Sequence, residues 1–143
     1  MKIVLLALII RLLMIGAASA QETASFKIIV NPTNDISSMT KEQVSELFLK
    51  KITQWENGRK ALPVDQVTSS PIREKFSKEI HDKSVTAINS YWRQKIFSGR
   101  DVPPPEKSSD ADVLAYIAEN ADAVGYVSAN APIDKVKVLK ITK

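Results

Sequence analysis

Short runs of β-branched and apolar residues, each closed by turn formers, alternate along this chain with stretches of helical periodicity. That alternation restricts it to an α/β layer architecture, a small, mostly β sheet core flanked by helices. The run FKIIV, residues 26 to 30, stops at Asn31-Pro32 and reads as a buried strand leaving through a turn. Thr40, with Gln43 three positions on, forms a capping box before a helix whose Val44, Leu47 and Phe48 share one face. Lys50 and Lys51 follow where the helix dipole favours cations. A connection through Trp55 turns at Asn57-Gly58 and enters an expected strand from Leu62 to Val67. Ser70 and Pro71 open a helix with Ile72, Phe76 and Ile80 at helical spacing. Ser84 caps another, with Val85, Ile88, Trp92 and Ile96 as its inward face and Tyr91 beside it. Gly99 and the prolines 103 to 105 make SGRDVPPPEKSSD a stiff connecting loop. A helix is expected from Asp110 to about Glu119, with Asp110 and Asp112 as first-turn carboxylates. A strand VGYVS and a final half-exposed strand VKVLKI, residues 136 to 141, complete the pattern. Four strands and four helices are expected in one compact domain.

The opening segment sets a compartment. Met1-Lys2, an apolar stretch broken only by Arg11, and the small residues Gly16 to Ala20 read as a secretory signal peptide over residues 1–20. Ala18, Ser19 and Ala20 form an A-x-A cleavage site, which makes residues 21–143 the expected domain and the periplasm its expected location. The alternative is a retained anchor, which needs about 20 mainly apolar residues. Lys2 and Arg11 account for two of the formal +4 charges, leaving +2 on the domain, too weak an excess for a nucleic-acid footprint. There is no cysteine, so core packing alone must hold the domain, and thiolate chemistry is excluded. His81 is the only histidine and reads as an exposed residue near a helix C-terminus. No spacing of acids and bases suggests an enzyme, and no cofactor or metal site is expected.

The junction VTSSPIREKF, residues 67 to 76, holds the most chemistry. A strand ending at Val67 and a helix with Ser70 at its N-cap is an ordinary connection in α/β proteins. The same geometry aims free N–H groups and the positive end of the helix dipole at one point, where an oxyanion can bind. Ser69 and Ser70 would add hydroxyl donors and Arg73 a charge one turn in, while Pro71 removes one N–H. Both readings stay open at this level.

In order along the chain, LFLKKITQW, PVDQVTSSPIREKF and AVGYVS resemble segments of the phosphate-binding proteins of high-affinity ABC importers. Leu47, Phe48, Lys51, Ile52, Thr53 and Trp55 match a helix-ending IF.GKIT.W pattern, and Val124, Gly125 and Tyr126 match a later GAIGY strand. The resemblance runs over residues 27 to 141 and implies a single lobe of the type 2 periplasmic-binding-protein kind, mainly the second lobe of a two-lobed family. It places Ser70 at the family's serine ligand, with Gln66, Pro71 and Ile72 standing where relatives carry arginine, glycine and threonine. The implied ligand is phosphate or a similar oxyanion held at Ser69, Ser70 and Arg73, with Gln66 and Thr68 orienting it. A neutral glutamine cannot replace an arginine's charged, bidentate grip, so a second protomer in a homodimer, or another protein, would complete the cleft. An ABC transporter or sensor is the implied partner. The competing expectation is an envelope interaction module that reuses the lobe, with Trp55, Tyr91 and the Pro103 to Pro105 loop as its contact surface.

Overall fold

The computed structural model describes residues 25–143, so the expected signal segment lies outside the described residues. In chain order the elements are β1 (Phe26–Val30), β2 (Ser38–Thr40), α1 (Lys41–Phe48), β3 (Leu62–Pro63), β4 (Asp65–Gln66), α2 (Pro71–Phe76), α3 (Val85–Phe97), β5 (Glu106–Lys107), α4 (Asp110–Glu119), β6 (Ala123–Ser128), β7 (Lys137–Val138) and β8 (Lys140–Thr142). The main sheet has the order β3-β6-β1-β7. Its centre is the antiparallel pair β1 and β6, in register from Phe26 opposite Ser128 to Val30 opposite Val124. β7 extends it antiparallel to β1, and β3 runs parallel to β6.

Side chains alternate across a strand, and here both faces are covered. Ile28, Val30, Val124 and Tyr126 pack with Val44, Leu47, Phe48, Phe76 and Ile80 from α1, α2 and the turn after it. Ile29, Ala123 and Val127 pack on the other side with Val64 and with Val113 and Ile117 of α4. Burying each such side chain contributes about 1.5–3 kcal/mol, and no disulfide shares the task. Gly125 sets the approach of α4 to the sheet: a Cβ there would lie 2.8 Å from Val64 Cγ1 and 2.9 Å from Val113 Cγ1. At the end of β1, the buried Asn31 donates through Nδ2 to the carbonyls of Ile117 and Ala118, satisfying the open C-terminal end of α4.

Several expected elements are divided. The run from Leu62 to Val67 changes partner at Val64: Leu62 and Val64 donate to Asp122 and Val124, whereas Asp65 and Val67 donate to Pro105 and Lys107. It therefore forms β3 in the main sheet and β4 beside β5, inside the stretch expected to be a plain loop. The last strand divides in the same way around Leu139 into β7, on β1, and β8, parallel to β2. The helix from Ser70 is α-helical for six residues and continues as a π-helical turn, Ser77–His81. In α3, Ile88 and Trp92 pack under Leu49, but Ile96 is 52% and Phe97 95% exposed, because the last turn runs past that small cluster. His81 is half-buried rather than exposed: its ring stands edge-on to Phe76 at 5.5 Å, and Nδ1 shares a 2.7 Å hydrogen bond with the Ser45 hydroxyl. No helix among the described residues is long and apolar enough to cross a membrane.

Candidate functional site

β4 ends at Gln66, and a turn over Val67 to Ser69 leads into α2. Ser70 keeps an extended backbone and caps the helix, its Oγ accepting the Arg73 N–H at 3.3 Å. The same hydroxyl donates to Gln66 Oε1 at 2.7 Å, tying the end of the strand to the start of the helix. Thr68 and Ser69 form the exposed lip of the turn, and their hydroxyls make no hydrogen bond among the described residues. Beside the lip lies a cleft of about 750 Å³ lined by Thr68, Glu74, Lys78, Lys83, Ser84 and Asn89.

The other predicted residues sit behind this lip. Gln66, 3% exposed, donates through Nε2 to Asp110 Oδ1 and to the Tyr126 carbonyl, both at 3.0 Å. Arg73, 4% exposed, turns back beneath β4. Its Nη1 donates to the Gln66 carbonyl at 2.7 Å and to Glu106 Oε2 at 3.0 Å, and its Nε lies 3.6 Å from Asp65 Oδ1. The guanidinium thus faces one carbonyl and two carboxylates of the protein itself. Gln66, Ser70 and Arg73 form one hydrogen-bonded group, with Thr68 and Ser69 standing apart on the surface.

This group rests on a rigid buried layer. The Tyr126 hydroxyl donates to Asp65 Oδ1, and its ring stacks on Phe76 at 3.9 Å and 6°. Burial pushes the Asp65 carboxyl above its ordinary range, with the Arg73 charge pulling it back. Burial, and then the nearby Asp65 charge, push the Tyr126 phenol up as well. His81, a turn away, is driven down to about 4, first by burial and then by repulsion from Arg73, Lys51 and Lys83.

Two residues of the group escaped the sequence reading. Glu106 holds Arg73 from within the proline-rich connector. Asp110 accepts from Gln66 Nε2, from the Ser128 N–H at 3.3 Å and from the Ser128 hydroxyl. A length argument could have found the second: ten residues of helix rise about 15 Å and six of strand about 20 Å, so the end of β6 returns to the start of α4. Of the residues expected to present an interaction surface, Trp55 is 5% exposed and its Nε1 donates to the Asp122 carbonyl at 3.0 Å. Tyr91 donates its hydroxyl to the Leu49 carbonyl at 2.9 Å, and Pro104 is buried.

Fold and strand-to-helix turn together define a small α/β layer domain with a polar turn where β4 passes into α2. No protein-family model matches the sequence. Among solved structures, the chain is similar to a protein from Clostridium perfringens described as a phosphate ABC transporter substrate-binding protein and solved with bound phosphate. The TM-score is 0.67 at 18% identity, over 82% of this chain and 45% of that one. An ABC-type phosphate transport receptor from Vibrio cholerae gives 0.66 at 20% identity, over 82% and 46%. PstS from Borrelia burgdorferi gives 0.61 at 18% identity, over 84% and 48%. At these identities the likeness is one of fold, and the chain spans about half the length of the proteins it matches.

Proposed function

We propose that this chain is a single-lobe solute-binding-type protein of the cell envelope that takes phosphate or a similar small oxyanion at the Thr68 to Ser70 turn. The observation that carries the reading is the fit of most of the chain to about half of two solved proteins named for phosphate transport, one of them with phosphate bound. Thr68 and Ser69 offer exposed hydroxyls and Ser70 and Gln66 fix the turn from behind, whereas the Arg73 charge, expected to meet the ligand, is taken up by Asp65 and Glu106 inside the protein. Among the described residues, the lip offers neither a free cation to neutralise the anion nor an arginine's bidentate grip, so the isolated lobe binds weakly. A second copy, or an ABC transporter or sensor closing over the turn, raises the affinity. The signal-like residues 1–20 support an extracytoplasmic location, the periplasm.

Thermal unfolding in phosphate, sulfate and chloride at matched ionic strength tests this. Ligand at about ten times its Kd adds about 1.4 kcal/mol, a rise of a few degrees for a domain of this size. A rise in phosphate over chloride is expected, and identical curves in all three salts contradict the reading.

A further inference from the structure

We infer that the Asp110 carboxylate is an internal anion that competes with an oxyanion for the donors of Gln66 and Ser128 behind the Thr68 to Ser70 turn, and so sets the affinity of this site. The inference rests on the phosphate-binding reading above and adds what competes with the ligand. Three donors from two elements converge on this one carboxylate: Gln66 Nε2 from β4, and the N–H and hydroxyl of Ser128 from β6. A side chain there is not needed to cap α4, because the Ser109 hydroxyl already accepts the Asp112 N–H at 3.2 Å. Asp112, in the same first turn and under the same dipole, stays exposed. Only Asp110 folds back onto β4 and β6.

The resemblance places Ser70 at a serine ligand and Gln66 where relatives carry arginine, and the two are bonded to each other at 2.7 Å. With Asp110 in place, one N–H of Gln66 Nε2 is spent on a carboxylate and the other on the Tyr126 carbonyl, and an arriving oxyanion meets both occupied donors and a like charge. A carboxylate and a phosphate oxygen accept from the same N–H and O–H groups, so one displaces the other. Removing the carboxylate leaves one N–H of Gln66 Nε2 and both Ser128 donors free for a phosphate.

The test is calorimetric titration of the purified full chain with inorganic phosphate at fixed ionic strength, comparing the wild type with Asp110→Ala, Asp110→Asn and Asp112→Ala. The Asp112 change alters net charge and helix dipole equally without touching the cluster. Asp110→Ala is expected to bind phosphate about tenfold tighter than the wild type and Asp112→Ala to stay near the wild type. Adding Ser128→Ala to Asp110→Ala should remove most of the gain. If Asp110→Ala does not fold, Asp110→Asn keeps the shape, drops the charge and is expected to gain in the same direction. Wild-type binding that neither Asp110 variant improves overturns the inference and leaves the phosphate reading intact. Absence of binding in every variant at millimolar phosphate overturns both.

Discussion

His81 carries the clearest pH signature in the molecule, because its ring is packed edge-on to Phe76 within reach of the cations Arg73, Lys51 and Lys83. The folded protein keeps it neutral down to about 4, whereas the unfolded chain takes up a proton near the ordinary 6.5. Its contribution to stability is therefore full above pH 6.5 and lost progressively as pH falls from there towards 4, by up to about 3 kcal/mol. Asp65 acts with the opposite sign, since its raised carboxyl is relieved by protonation as pH falls. Comparing the wild type with His81→Gln at each pH cancels the Asp65 contribution. Urea midpoints should show the wild type losing its advantage over the variant between pH 6.5 and pH 4.5. A difference that stays constant across that range would contradict the packing described for the ring.

β4 and α2 are locked by a buried cation rather than by apolar contacts alone. Replacing Arg73 by methionine leaves Asp65 buried beside the Tyr126 hydroxyl with its main counter-charge gone, which costs about 3–5 kcal/mol. Asp65→Asn in the same chain should recover a large part of that loss, so a double-mutant cycle in urea measures the coupling directly. An Arg73→Met variant as stable as the wild type would mean that the guanidinium faces solvent. The strand and helix also mark how far local signals reach. The helix starts at Thr40, Ser70 and Ser84 were readable because a cap is a contact within four residues. The breaks at Val64 and Leu139 were not, because each depends on a partner strand supplied by a stretch with no strand signal of its own, Glu106–Lys107 or Ser38–Thr40. The exposed end of α3 was hidden for the same reason: helical spacing identifies a face, and only the neighbours decide how far along the helix that face stays covered.

Across the whole molecule, the layered α/β lobe was readable from the order of its elements, and the solved structures share its fold over 82% or more of the chain. The candidate site was readable as a turn but not as an electrostatic arrangement. Residues 66 to 73 are consecutive neighbours, whereas Glu106 and Asp110, which hold Arg73 and Gln66, arrive from 33 and 44 residues away. One experiment addresses the central claim, that an oxyanion is received where β4 passes into α2. In a phosphate titration followed by amide NMR at constant ionic strength, saturable shifts should concentrate at Thr68, Ser69, Ser70 and Ser128. Saturable shifts confined to a different face, or no difference between phosphate and chloride, would contradict it.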